Sequence, residues 1–317
     1  MQYLIVLILL FVLEILYFKL ADKFNIIDKP NHRSSHTSIT LRGGGVIFPI
    51  ALLIAFGLGY VSFFLTVAVV LVAIVSFIDD VFPLPTFPRF SSHFLAVLLV
   101  LYDLNLLGLE FWIISVVIVL VIGWINAFNF MDGINGITVL YAFVSIISFA
   151  YLYQGQEQFP ILVVMGIATV VFGFFNVRKK AKTFAGDVGS ISMAVFLSYF
   201  MIQLIFEKGQ IGYLLFFSVY GIDAIVTILY RIKNKENIFQ PHRSHLYQYL
   251  ANELKWSHVI VSTFYAVLQL GINFAVIGLI RSGYMTLPIF LIILFLEAGI
   301  YCSIRISISN LIKAQNE

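Results

Sequence analysis

The sequence predicts an all-α protein, a polytopic transmembrane helical bundle that forms a single integral-membrane domain over residues 1–317. Of the 317 residues, 61% are hydrophobic and only 11% are charged, whereas a soluble domain carries about 25% charged residues. Apolar runs close to the roughly 20 residues that cross a bilayer recur along the whole chain. These two observations leave no room for a separate soluble domain.

The pattern of apolar runs predicts about eleven spans, separated by short turns rich in Pro and Gly. The first run lacks a basic leader and a small-residue cleavage site, so we interpret it as a retained span and not as a cleaved signal. The predicted spans are residues 3–20, 46–60, 62–78, 92–108, 111–127, 136–153, 159–177, 189–206, 211–230, 257–280 and 285–304.

The basic residues predict the orientation of the spans. If the N-terminus is outside, the cytoplasmic side receives all of the 19 lysines and arginines except Lys208 and Arg281. Because basic residues concentrate in cytoplasmic loops, we predict the N-terminus outside and the C-terminus inside. This orientation places Glu157 outside, and it places the acidic, amide, glycine and histidine motifs described below on the cytoplasmic face.

An acidic pair, Asp79-Asp80, ends the third span. Carboxylates beside hydrocarbon are costly, and two at a helix C-terminus also oppose the helix dipole, which favours a functional role over a solvated helix end. Neighbouring helical side chains point about 100° apart, so one carboxylate could bind a cation while the other faces a substrate. Arg89 follows as a candidate phosphate contact, although alone it is more typical of a topology anchor.

Four polar residues at three-residue spacing follow one another at the end of the fifth span: Asn126, Asn129, Asp132 and Asn135. This spacing is close to the helical period, so we expect all four on one face of a short segment. Amide and carboxylate groups suit recognition of a nucleobase edge. The alternative is a polar cap on the fifth span.

Asp187 lies between Gly186 and Gly189 where the eighth span begins. It could cap the helix, or it could bind Mg²⁺ while the nearby backbone N–H groups face phosphate. The motif alone leaves both readings open. The basic residues just before it, from Arg178 to Lys182, form a run that is usually a topology anchor and only sometimes a phosphate site.

A basic loop follows the ninth span and contains His242, Arg243 and His245. Zinc is conceivable, but no cysteine or further nearby histidine completes a ligand set. Phosphate recognition suits an Arg/His loop beside a carboxylate-rich site better.

One carboxylate, Asp223, lies inside the ninth span and is a functional candidate for that reason alone. We expect its partner to be Arg231, two turns along the helix, or the cytoplasmic carboxylates. Arg42 in the first loop is a weak candidate for substrate contact. His258 looks like an interfacial residue.

Taken in order, these clusters resemble the polyprenyl-phosphate N-acetylhexosamine-1-phosphate transferases of glycosyl transferase family 4, which include the muramyl-pentapeptide transferases and the O-antigen-initiating enzymes. Each motif alone is weak, and the ordered set over nearly the whole chain carries the resemblance. The histidine motif resembles that of the O-antigen and capsule branch of this family. The motifs are Asp28-Lys-Pro-Asn31, Arg42-Gly-Gly-Gly45, Asp79-Asp80, Asn126 to Gly133, Phe184 to Ser190, and Pro241-His-Arg-Ser-His245-Leu-Tyr-Gln248.

The resemblance implies a reaction in which undecaprenyl phosphate attacks the β-phosphate of a UDP-N-acetyl sugar and releases UMP, initiating a lipid-linked surface glycan. It implies Mg²⁺, with Mn²⁺ as a substitute, held by Asp187 and Asp80, and Asp79 as the base of some family mechanisms. Arg42 and Arg89 would be weak phosphate contacts. The implied nucleotide-sugar contacts are Asn126, Asn129, Asp132, Asn135, Phe184, His242, Arg243 and His245. Two positions depart from the family pattern: Pro83 and Asn135 stand where many relatives have a charged residue.

The expected setting is the bacterial inner membrane, with the active site facing the cytoplasm. The expected partners are the lipid bilayer, undecaprenyl phosphate and a UDP-N-acetyl sugar, with a homodimer allowed and no nucleic acid. The rival class is a secondary transporter of an anionic or lipid-linked substrate, which would also have many spans and an intramembrane Asp223. A transporter places charges near the midplane of several spans, whereas most here lie at span ends, which favours the enzyme.

Overall fold

The computed structural model describes residues 1–30, 35, 38–237 and 242–316, and over this part of the chain it confirms the predicted all-α bundle. The helices are α1 (Gln2–Lys23), α2 (Ile47–Gly57), α3 (Phe63–Val81), α4 (Thr86–Asp103), α5 (Phe111–Phe130), α6 (Ile137–Leu152), α7 (Phe159–Asn176), α8 (Gly186–Lys208), α9 (Ser218–Lys233), α10 (Leu246–Gln248), α11 (His258–Arg281) and α12 (Leu287–Asn316). Short 3₁₀ segments, Gly44–Val46 and Ile211–Phe217, precede α2 and α9, and a π-helical turn, Tyr249–Glu253, follows α10. A small antiparallel ribbon joins β1 (Ile27–Asp28) to β2 (Thr40–Leu41).

Each of the eleven predicted spans contains a helix, but α4 begins six residues before the predicted start. It begins at Thr86 because Pro85 precedes the helix and Pro88 lies in its first turn, where a missing N–H costs nothing. Eight helical segments in the described chain are long and apolar enough to cross a membrane, while α2 and α6 are shorter apolar helices. The eleven crossings and their direction stay predictions.

The outer helices expose large apolar side chains, as expected of a surface that faces lipid. Phe295 is 70% exposed and Ile292 is 61% exposed on α12, and contiguous exposure of this kind marks a membrane-facing surface. By contrast, nearly all of α8 is buried. The chain is therefore a multi-span membrane protein built around α8.

The central helix α8 packs against α2, α3, α5 and α6. The chain just before α2 lies directly on it, because a Cβ added to Gly189 would lie only 2.6 Å from the Cα of Gly45. Glycine at both positions permits this close approach of two backbones.

Backbone pairing joins the first loop to the start of α8. The Phe184 N–H donates to the Leu41 carbonyl at 2.8 Å, and the Gly44 N–H donates to the Phe184 carbonyl at 2.9 Å. Arg42 is thereby held beside the first turn of α8, although about 140 residues separate it from that turn in the chain.

Candidate active site at one end of the bundle

A polar cavity of about 250 Å³ lies at the end of the bundle where α8 begins. Its walls come from the first loop, the segment after α5, the ends of α7 and α10, and the starts of α8 and α11. The lining residues are Asp28, Ser35, Arg42, Asp132, Gly133, Ile134, Asn135, Asn176, Phe184, Gly186, Asp187, Gln248 and His258. Most of the motifs singled out in the sequence therefore meet at one place.

Asp80 bridges three segments beside this cavity. Its two carboxylate oxygens accept the N–H groups of Asp187 at 3.0 Å and Val188 at 3.1 Å, and Arg42 makes an ion pair with it at 2.7 Å. The first N–H groups of a helix need such acceptors. Asp80 thus caps α8, and the alternative that Asp187 caps it is wrong.

The close fit at the start of α8 explains the glycine before Asp187. Gly186 has φ +70°, and a Cβ there would lie 2.5 Å from an Asp80 carboxylate oxygen. A side chain would therefore be strained at this position and would displace Asp80.

Asp187 itself faces the cavity, with its side chain 25% exposed. Its Oδ1 accepts the Asn129 amide N–H at 3.0 Å, and the Arg42 guanidinium lies 3.9 Å away. Asn129 also donates to the Ser190 hydroxyl at 2.9 Å, one turn along α8. Asn129 thus fixes the Asp187 side chain while leaving the carboxylate accessible.

Asp79 points away from Asp80, as the helical geometry predicts. Its carboxylate accepts the Leu84 N–H at 2.6 Å and the Arg89 guanidinium at 3.1 Å. This pair stabilises the turn between α3 and α4. The roles of Asp79 as a base and of Arg89 as a phosphate contact stay predictions.

The expectation that four polar residues share one helical face is wrong, because α5 ends at Phe130. Asn126 remains on the helix and donates to the Ile122 carbonyl of its own preceding turn at 2.8 Å. Asp132 and Asn135 lie in the following turn, from which they line the cavity. Their role in nucleotide binding stays a prediction, and Asn126 is outside the cavity lining.

Burial raises the pKa of Asp132 to about 6, against the lowering effect of the hydrogen bond from the Thr138 hydroxyl. The negative charge of Asp187 raises it further. Beside it, the Asn135 amide donates to the Arg178 carbonyl at 2.8 Å, while its Oδ1 has no hydrogen-bond partner within the described chain. A carboxyl group and a buried amide oxygen thus border the cavity together.

The histidine loop adjoins the cavity without lining it. The rings of His242 and His245 lie 4.9 Å apart between centroids, and neither of these residues nor Arg243 is part of the cavity wall in the described structure. Burial and the neighbouring His245 lower the pKa of His242 to about 4. His242 is therefore neutral at physiological pH in this state.

The prediction that Asp223 pairs with Arg231 or with the cytoplasmic carboxylates is wrong. Arg231 turns instead to Glu236, at 3.1 Å, and to the Asn237 carbonyl, at 2.6 Å. The Asp223 carboxylate accepts Nδ1–H of His245 at 2.9 Å. The helical spacing of Asp223 and Arg231 could not reveal a partner that arrives from a later loop.

The cavity wall also contains residues that the sequence does not predict as site residues, among them His258 and Asn176. The sequence predicts an interfacial position for His258, whereas in the structure it lines the cavity and its Nδ1 accepts the Asn135 N–H at 3.4 Å. Asn176 ends α7, accepts the Gly136 N–H at 2.7 Å and donates to the Thr183 carbonyl at 2.9 Å. Neither residue belongs to a recognisable motif, so only tertiary structure assigns them.

The cavity residues suit Mg²⁺, which needs few protein ligands, better than they suit a metal ion that is held by protein side chains alone. Within the described ranges, no three His, Cys, Asp or Glu side chains cluster closely enough to hold a metal. Mg²⁺ characteristically takes one or two carboxylates and completes its shell with water and substrate phosphates. Asp187, exposed to the cavity, suits this role. Asp80 already binds Arg42 and two N–H groups, and its part as a second ligand stays a prediction.

The bundle and its polar cavity define a membrane protein with a charged site at the end of its spans. Residues 60–205 match the sequence model of glycosyl transferase family 4, which confirms the predicted resemblance to this family. The matched segment includes Asp79, Asp80, Asp132, Phe184 and Asp187.

Several bacterial proteins named phospho-N-acetylmuramoyl-pentapeptide-transferase are similar to this chain. The protein of Streptococcus equi subsp. zooepidemicus is 35% identical over 99 residues, which cover 30% of this chain and 29% of that protein. The protein of Lactococcus lactis subsp. cremoris is 31% identical over 115 residues, covering 36% and 34%. That of Streptococcus agalactiae serotype Ia is 38% identical over 87 residues, covering 26% of each. The chain thus matches only about a third of the length of these relatives.

Proposed function

We propose that this protein transfers an N-acetyl-sugar-1-phosphate from a UDP-sugar to undecaprenyl phosphate and releases UMP. The observation that carries the proposal is the meeting of Arg42, Asp80 and Asp187 at a polar cavity at the end of a membrane-spanning bundle. A lipid phosphate reaches such a place from the bilayer, and a nucleotide sugar reaches it from water. The sequence relatives support the same reaction class.

In this reaction a phosphate oxygen of the lipid bonds to the β-phosphorus of the UDP-sugar, and the bond from that phosphorus to the bridging oxygen breaks, so that UMP leaves. Such chemistry depends mainly on positioning and charge neutralisation. Arg42 supplies positive charge to the phosphates. Asp187 would hold Mg²⁺, or Mn²⁺ in its place, and the bound ion would neutralise the diphosphate.

The nucleotide side of the cavity is assigned to Phe184, Asp132 and Asn135. Phe184 supplies a ring on which the uracil can stack, and the other two offer acceptors to its edge and to the ribose. Asn129 keeps the Asp187 carboxylate in place and so contributes to the reaction indirectly. The site would face the cytoplasm of a bacterial inner membrane, and the product would begin a lipid-linked surface glycan.

The test is turnover by the purified protein. Protein in detergent is supplied with undecaprenyl phosphate and a panel of UDP-N-acetyl sugars, and UMP release is measured with Mg²⁺, with Mn²⁺ and with EDTA. We expect turnover with at least one sugar and its loss in EDTA. Absence of turnover with every sugar, together with uptake of a lipid-linked or anionic solute in proteoliposomes, would favour a transporter instead.

A further inference from the structure

A second buried centre lies beside the cavity and is organised around Asp223. The residue is fully buried, and its carboxylate accepts hydrogen bonds from four separate elements. His245 Nδ1–H donates at 2.9 Å, the Tyr265 hydroxyl at 2.6 Å and the Tyr301 hydroxyl at 3.0 Å. The Thr227 hydroxyl adds a contact at 3.3 Å from one turn along α9. An intramembrane carboxylate this heavily bonded is a costly feature that bundle packing alone does not require.

The carboxylate determines how the His245 ring is oriented. Since an ionised carboxylate can only accept hydrogen bonds, Nδ1 carries the proton and Nε2 points away from Asp223. His245 is only 2% exposed, and its Nε2 has no hydrogen-bond partner among the described residues. Buried polar atoms are nearly always bonded, so a buried ring nitrogen left without a partner needs an explanation.

The His245 ring is connected to the cavity through its own short helix. The Tyr247 ring stacks on it at 5.6 Å between centroids, and the Tyr247 hydroxyl donates to the Phe130 carbonyl at 3.0 Å. A Cβ on the cavity residue Gly133 would collide with that hydroxyl. The backbone N–H of His245 also donates to Oε1 of the cavity residue Gln248 at 3.2 Å.

We propose that Asp223 is a positioning residue that holds the His245 imidazole so that its Nε2 binds the diphosphate of the nucleotide sugar. The proposal rests on the proposed function for the identity of the ligand. Asp223 touches no substrate and acts only through His245. The surrounding hydroxyls of Tyr265 and Tyr301 keep its carboxylate in place, and Arg305, bonded to the Tyr301 hydroxyl at 3.1 Å, adds positive charge behind it.

The first test is a kinetic double-mutant cycle of Asp223→Asn and His245→Gln. The asparagine keeps the size and most hydrogen bonds of the side chain but loses its charge. We expect each single variant to lower kcat/KM for the UDP-sugar roughly tenfold, since one charge-assisted hydrogen bond is worth about that much, and the double variant to be no worse than His245→Gln alone. If the fold loss in kcat/KM of the double variant equalled the product of the two single losses, the proposal would be overturned, because Asp223 would then act independently of His245.

Tyr301→Phe is the matched control, because it removes another donor from the same carboxylate oxygen without touching His245. We expect it to lower the thermal stability, to lower kcat/KM much less than Asp223→Asn does, and to cause no further loss of kcat/KM in the His245→Gln background. If Tyr301→Phe reproduced the full kinetic loss of Asp223→Asn, the role of the centre would be general stability and not positioning.

The second test needs neither turnover nor a folded Asp223 variant. The chain has 6 histidines, so ¹⁵N-histidine NMR of the wild type, with His245→Gln to assign the signal, reports the His245 proton positions. We expect a protonated Nδ1, and a shift of the Nε2 signal on addition of UDP. A bare Nδ1, or no response to UDP, would overturn the proposal. A wild type that shows both signatures but releases no UMP with any sugar would instead contradict the proposed function.

Discussion

Both ends of the bundle carry carboxylates, and their surroundings differ. Asp80 and Asp187 contact a guanidinium and the first N–H groups of α8 beside an open cavity. At the opposite end, Asp103 accepts the Ser62 hydroxyl at 2.6 Å, and Glu207 accepts the Gln203 amide at 2.7 Å. Carboxylates held by neutral donors are adequately explained as polar helix ends, whereas the first group is arranged to act on an anionic ligand. The presence of a carboxylate at the end of a span is therefore a weaker sign of function than the identity of the groups that contact it.

The largest expected contrast between the two ends is in turnover. Asp187→Asn should reduce UMP release by roughly 10²–10³-fold, the usual cost of losing one preorganised electrostatic contact to the transition state. Asp103→Asn, at the far end of α4, should retain activity, because it lies about 20 Å along the helix from Arg89. Initial rates of UMP release, with circular dichroism to confirm folding, measure both. Full activity in well-folded Asp187→Asn would remove the proposed metal ligand.

The next contrast is the side of the membrane that each end faces. In a Cys302→Ser background, a cysteine replacing Glu157 should react with an impermeant thiol reagent in intact cells. A cysteine replacing Lys180 should react only after the cells are lysed. Reversed labelling would place the cavity on the wrong side for a cytoplasmic nucleotide sugar.

Packing should also be less tolerant at the cavity end. Gly189→Ala places a methyl group against the Cα of Gly45, and overpacking of this kind costs about 1–3 kcal/mol. Gly57→Ala, at the other end of α2, meets no atom within 4 Å and should leave stability unchanged or slightly raised. The midpoint of thermal unfolding in detergent measures both variants. An equal response would mean that the chain before α2 does not rest on α8 as closely as the structure shows.

The smallest expected effect is a gain in the stability of the Asp132→Asn variant over the wild type, and the size of this gain depends on pH. Because the folded-state pKa of Asp132 is raised to about 6, its contribution to stability is fully present at low pH. That contribution is lost as the pH rises from about 4 through 6. Asp132→Asn should therefore unfold at a higher temperature than the wild type at pH 7.5, and the difference should shrink towards pH 4. Unfolding of ligand-free protein in EDTA across this range provides the measurement, and a difference independent of pH would refute the assignment.

The site divides into parts that the sequence could reveal and parts that it could not. The sequence identifies Asp80 as one of two adjacent carboxylates at a span end, and Asp187 as a carboxylate between Gly186 and Gly189 at a span start. The predicted common face of Asn126 and Asp132 failed because the helical period holds only while the helix continues, and α5 ends at Phe130. The partner of Asp223 was also beyond reach, since His245 meets it across 22 residues.

The sequence by itself determined that this protein is a helical membrane bundle, because hydrophobic composition and run length decide whether a segment can cross a bilayer. It also showed the resemblance to glycosyl transferase family 4, because the types and the order of the motif residues can be read directly from the sequence. Tertiary structure alone decided that Asp80 caps α8, that Asn135 and His258 share one cavity, and that Asp223 orients His245. The physical reason is that hydrogen bonds and ion pairs form over about 3 Å between groups whose separation along the chain carries no information about their distance in space.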